Sequence, residues 1–288
     1  MSVRIFYAIF LVLFCKCSYA QTTKGTKTNT DVDDPYEKKS YFIVGLNYVS
    51  DNVYLGRKDS AALPYISPFI GYHFRNGIYG KAIVSDAPAK GYIDLLTFEA
   101  GWDHSFGEHF NMGVCGDKFF YNKKSNSIRS QTKGGIGATA QFTNDWIEPQ
   151  IGWDFNFNKS TTDYVLNIEL DHDFDLKKHI LHIVPSVSMN YGTRHFFDDY
   201  FISRLQKKDK TQAAYNAVAN ANEFVPLDYE IKTKFTYRVT KWLFTLTPVY
   251  SIPESPASIT LPGKNKKKTT QTEKLSNSFF VELDICHR

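Results

Sequence analysis

The sequence has little of what holds a small secreted domain together. Only four cysteines occur in 288 residues, and two of them, Cys15 and Cys17, fall in an N-terminal stretch that reads as an export signal. The remaining pair, Cys115 and Cys286, makes neither a disulfide scaffold nor a zinc site of the usual spacing, and leaves open whether the two are bonded. Long apolar runs are equally scarce. One exists, over residues 5–14, and Lys16 breaks it well short of the roughly 20 residues a helical membrane span needs. An excess of one charge sign is missing too. The formal charge is +4, and removing Arg4 and Lys16 with the signal lowers it to +2, which gives no reason to expect nucleic acid as a partner.

The signal reading rests on the basic Arg4, the short apolar core and the small residues of Ser18-Tyr19-Ala20, and it predicts cleavage of residues 1–20. A lipoprotein would need a small residue just before Cys15 or Cys17, where Phe14 and Lys16 stand. Residues 21–40, QTTKGTKTNTDVDDPYEKKS, are polar without periodicity and read as a flexible tail.

Rings are what the chain does have. Aromatic residues make up 16% of it against a mean hydropathy of −0.35, too many rings for disorder and too polar an average for helical spans. They recur in alternation. In WIEPQIGWDFNFN, a strand puts Ile147, Pro149, Ile151, Trp153, Phe155 and Phe157 on one face and Glu148, Gln150, Gly152, Asp154, Asn156 and Asn158 on the other. The same pattern predicts twelve strands, near 41–57, 64–74, 78–86, 92–106, 109–121, 131–143, 146–158, 162–175, 180–191, 227–239, 242–252 and 276–286. Most exceed the five or six residues usual in soluble sheets.

Connections read as strictly alternating. Arg75-Asn76-Gly77, Gly107-Glu108-His109, Asn144-Asp145, residues 177–180 and Thr240-Lys241 are tight, whereas 122–130, 192–226 and 253–275 are long. An up-and-down barrel with both termini in the periplasm has this rhythm. Across the tight turns Phe142 is expected opposite Ile147, Val239 opposite Trp242 and Phe74 opposite Ile78. Apolar meets apolar, as a correct register requires.

One set of rows is free of charge: Ile66, Ile70, Tyr72 and Phe74; Leu96, Phe98 and Trp102; Tyr164, Leu166, Ile168 and Leu170; Leu181, Ile183, Val187 and Met189; Ile231, Phe235, Tyr237 and Val239; Phe279, Val281, Leu283 and Ile285. The opposite rows carry Glu99, Asp103, Glu148, Asp154, Glu169, Asp171, Asp173, Glu230, Lys232, Lys234, Arg238, Glu282 and Asp284. A soluble sandwich alternates in the same way. Aromatics at strand ends, strands long enough for a tilted crossing and an even strand count favour lipid on the apolar side. The fold class is therefore all-β, a transmembrane up-and-down antiparallel barrel of about 12 strands over residues 41–288, in a bacterial outer membrane.

The run from Asn47 to Asp59, NYVSDNVYLGRKD, followed by Pro64-Tyr65-Ile66-Ser67-Pro68, Gly71-Tyr72 and Asn76-Gly77, resembles the first hairpins of small outer-membrane β-barrel proteins of the Bacteroidetes type. The resemblance covers residues 41–80, implies that location and fold, and brings no assigned reaction. Such barrels often finish on an aromatic residue, whereas this chain ends Asp284-Ile285-Cys286-His287-Arg288.

The thirteen charged residues of the polar rows are candidates for lining the lumen, as a pore wall, a solute site or a set of ion pairs that fills a narrow interior. Between 200 and 224, Phe201, Leu205, Ala214, Ala217, Val218 and Ala221 recur at helical spacing and predict a short helical insertion in an extracellular loop. Phe201, Leu205 and Val218 are its candidate plug or lid residues. Lys264, Lys266, Lys267 and Lys268 read as a solvated loop tip. His104 and His172 fall in the outward phase with no serine and orienting acid beside them, so no catalytic, metal or cofactor site is expected. The leading expectation is a passive channel or binding barrel for a small polar solute, with membrane lipid as the other partner. The alternatives are a closed barrel acting through its loops and, behind it, a lipid hydrolase.

Overall fold

Alternation with period two leaves each strand one polar and one apolar face, and closing such strands into a ring turns the apolar faces to lipid and the polar faces to a lumen. A computed structural model describes residues 39–58, 64–125, 127–176, 180–197, 220–262 and 268–288. Twelve strands form the wall: β1 Tyr41–Val49, β2 Tyr65–His73, β3 Ile78–Asp86, β4 Ile93–Phe106, β5 Phe110–Tyr121, β6 Thr132–Phe142, β7 Glu148–Asn158, β8 Thr162–Asp171, β9 Leu181–Gly192, β10 Val225–Val239, β11 Trp242–Pro253 and β12 Ser278–His287. Each pairs antiparallel with its neighbour in sequence, and β1 closes the ring against β12, with Gly45 opposite Cys286 and Asn47 opposite Asp284.

The apolar rows face outward. Ile70, Phe98, Ile168, Val187, Ile231 and Phe279 are all exposed, a belt that lies in the hydrocarbon of a membrane. Aromatic rings edge it at the end with tight turns, the periplasmic end: Phe42 meets Tyr72 edge-on at 4.6 Å, Trp102 lies against Phe106 at 6.3 Å, and Trp242 meets His287 at 4.9 Å.

Four expectations change in detail. The first strand, expected over 41–57, ends at Val49, and Val53–Tyr54 pairs with Arg57–Lys58 in a separate small hairpin. Continuous pairing of β8 to residue 175 is broken, because Pro185 on β9 has no N–H to offer; β8 stops at Asp171 and a short piece, Phe174–Leu176, resumes opposite Ile183 in the same register. Phe142 does not face Ile147. Asn144 ties the turn down by accepting from the N–H groups of Trp146 and Ile147, so Gln141 pairs with Gln150, a slip of two that keeps the face. The alternation of loop lengths is not strict either. The β7–β8 connection at the extracellular end is only residues 159–161, closed by the Asn158 N–H on the Thr161 carbonyl at 2.9 Å. Val239 does face Trp242, and Phe74 donates to the Ile78 carbonyl.

Residues 1–38 and 198–219, which include the predicted signal and most of the predicted helical insertion, lie outside the described residues. A single helical turn, residues 195–197, precedes that segment.

Candidate functional site

The lumen wall is set by register. Glu99 and Asp103 on β4 stand in phase with Lys81 on β3 and Asp117 on β5, through the pairs Lys81–Glu99 and Glu99–Asp117. Lys81 Nζ lies 3.2 Å from Glu99 Oε2. Across the barrel a second polar sector runs from β7 to β12. Gln141 donates to both Glu148 and Asp171, at 3.3 and 3.4 Å. Lys232 Nζ sits 2.9 Å from Glu169 Oε2, and Asn47 donates to Asp284 at 2.9 Å across the β1–β12 seam. Glu230 stands between Ser188 and Ser251, Glu282 between Thr247 and Val49, and Asp154 between Gly137 and Val165. Lys234 pairs with Val184, and Arg238 with Leu243 near the periplasmic turn. All thirteen residues thus stand on the inward phase, in two sectors rather than one cluster.

Two lumen residues have weak sequence signals. Lys81 shares its row with Tyr79 and Ile83, so that row does not read as polar. His182 alternates with Val184 and lies 3.1 Å from Asp173, a contact that needs β8 and β9 in register.

The extracellular end is roofed. Leu55, Ile128, Phe196, Phe197, Ala221 and Ala257 come from four different connections and pack with Val165 and Leu227 of the wall into one apolar cluster. Two buried arginines bind the connections together. Arg57 donates to both oxygens of Glu273 and to the carbonyls of Leu55 and Ser255, at 3.1 to 3.3 Å. Arg194 donates to the carbonyls of Ser255 and Asn220 and to Glu223. Burial, and then the neighbouring Arg57 charge, pull the Arg194 guanidinium below its usual value. Desolvation pushes the Tyr54 phenol up, although the Arg129 guanidinium 4.3 Å above its ring acts in the opposite sense.

Beneath the roof lies a hydrogen-bonded floor. Asp163, fully buried, accepts from Asn158, from Thr193 and from the backbone N–H groups of His195 and Phe196, at 2.6 to 2.7 Å. It caps the N-terminus of the short helical turn from a neighbouring strand. Asn167 donates to Asn190, Asn190 to Asp228, and Ser251 to Asp228, at 2.8 to 3.0 Å.

The outward histidines belong to the aromatic edge. His104 stacks on Trp102 at 5.3 Å and His172 meets Phe174 edge-on at 4.3 Å. Cys286 is a buried free thiol, so it is not bonded to Cys115. Phe201, Leu205 and Val218, and Lys264, Lys266 and Lys267, lie outside the described residues; Lys268 opens the strand Lys268–Thr272 of a loop hairpin.

No family model matches the chain, and no curated protein matches it in sequence. Among solved structures it is similar to a KdgM porin, with 8% identity over 85% of this chain and 98% of that one at a TM-score of 0.48. It is also similar to LpxR from Salmonella typhimurium, with 10% identity over 85% and 99% at 0.42, and to Salmonella typhi OmpF in complex with daunomycin, with 8% identity over 87% and 98% at 0.34. These likenesses are low in identity and in TM-score, and neither passage nor catalysis comes with them.

Proposed function

We propose that this is an outer-membrane channel for small, polar, positively charged solutes, with the roof restricting entry. The observation that carries the reading is the charge of the lumen wall. Of the thirteen lumen-facing residues read from the sequence, ten are acidic and three basic. Two carboxylates, Glu99 and Glu169, face lysines at ion-pair distance, and a lumen of this balance attracts cations and repels anions. A salt gradient across a planar bilayer holding the refolded chain tests it. Cation-selective steps are expected, and Glu282→Gln with Asp284→Asn moves the reversal potential toward zero. Anion-selective steps sink the reading.

A second reading, a closed barrel acting through its extracellular loops, is favoured by the bonds of Arg57 to Glu273 and to two loop carbonyls and by the apolar cluster of the roof. Arg57→Ala with Arg194→Ala separates the two. Steps that appear only in this variant mean that the roof restricts a real channel. Silence from both proteins, each folded and inserted, supports the closed barrel.

A further inference from the structure

Charge is sorted by position along residues 92–162. Every acidic residue in that stretch is turned into the barrel, buried, or placed on a periplasmic turn, as Glu108 and Asp145 are. Its five lysines do the reverse. Lys118, Lys123, Lys124, Lys133 and Lys159 are all exposed and all belong to the extracellular ends of β5 to β8 or to the connections there. The one arginine, Arg129, is turned away over the Tyr54 and Phe119 rings.

Lys118 is the informative member. It lies on the outward face of β5, opposite Phe98 and Gly134, with its ammonium 5.7 Å from the Phe120 ring centroid. A lysine stands on a lipid-facing wall at little cost only where its stem runs along apolar surface and its head reaches the polar layer. Lys133, the bulged residue of β6, holds its ammonium 3.5 Å from the Lys159 backbone carbonyl, which brings its head to the β7–β8 connection that carries Lys159. Around Lys118, level with it or within a few residues along the strands, are the exposed apolar side chains Phe98, Phe120, Ile136, Phe157 and Tyr164. Elsewhere at the same end charge is mixed: Lys58 pairs with Asp51 at 3.0 Å, and Arg57 with Glu273.

We propose that this lysine arc is a docking surface for the phosphate-bearing headgroups of anionic lipid in the leaflet beside the loops. The occupant follows from the setting. The arc is continuous with the surface that already lies in lipid, it carries one sign of charge, and its height matches the layer where headgroups sit. Acyl chains lie on the exposed apolar side chains while phosphates meet the ammonium groups.

Native mass spectrometry of the full chain in an uncharged detergent tests this, with phosphatidylglycerol titrated against phosphatidylcholine. Preferential retention of phosphatidylglycerol is expected, weakening as salt rises from about 0.05 M to about 0.5 M. Changing all five lysines to Gln lowers that preference about tenfold or more. The same five changed to Arg keep it, as does Lys39→Gln with Lys241→Gln at the opposite end. Equal preference in the five-Gln and wild-type proteins overturns the proposal, and so does displacement by millimolar inorganic phosphate alone, which would make it a free-anion site. A heat-shifted mobility on gels reports that each variant is folded.

Discussion

At the periplasmic end the barrel finishes in turns as short as Thr240-Lys241, and its inward side chains form polar pairs such as His182 with Asp173. At the extracellular end four connections fold over the mouth, and the side chains beneath them form a closed hydrogen-bonded layer around Asp163 and Asp228. The wall alternates in the same way at both ends. The difference lies in what the connections bring. A short turn supplies no side chains to cover anything, whereas a long loop must bury its own apolar residues and satisfy its own backbone, so it builds a small core of its own.

The strongest way to break this contrast is to remove the arginines of the roof. Arg57→Ala with Arg194→Ala leaves Glu273 with the Ala257 N–H but without its arginine, a loss of about 3–5 kcal/mol for a buried pair. Because the loss falls on loop packing, limited proteolysis within the extracellular connections accelerates while the barrel keeps its heat-shifted mobility. Equal protection in both proteins would show that the clamp is dispensable.

Next in size is a charge on the wall. Val187→Arg, on the outward face of β9, costs about 2–4 kcal/mol near the bilayer midplane, and Ser188→Arg, one residue on and facing the lumen, costs clearly less. Urea titration of the protein folded into vesicles measures both, and equal losses would contradict the assignment of faces. Asp163→Ala removes the acceptor of two backbone N–H groups and two side chains, an expected loss of about 1–3 kcal/mol confined to the roof. Hydrogen exchange at residues 193–197 rises while the strands of the wall keep their protection. The smallest effect is Lys118→Ala, within about 1 kcal/mol by urea titration, since its charge sits near the interface rather than in hydrocarbon.

Much of the wall was legible because a strand's two faces are written in consecutive residues. Ile147, Pro149 and Ile151 announce one environment and Glu148 and Gln150 the other, with no knowledge of any neighbour. Detail failed where one residue overrides the pattern. Pro185 interrupts the partner strand, and Asn144 lengthens a turn, and neither effect shows in hydrophobic alternation. Outward charge was the larger omission. Lys118 lies on a β5 face that the charge-free rows did not cover, and its meaning depends on where β6 and β7 place Lys133 and Lys159.

The sequence by itself determined the period, the number of wall strands, the sign of charge facing inward and the end at which turns are tight, because each is a local property of chain geometry. Only the tertiary structure decided that Arg57, Arg194 and Glu273, spread over 217 positions of the chain, meet under one roof. It alone also decided that lysines from two strands and two connections form one arc, and that Asp163 caps a turn 32 residues away. Those contacts depend on closure of the ring, which brings loop ends together irrespective of their distance along the chain, and no local pattern records it.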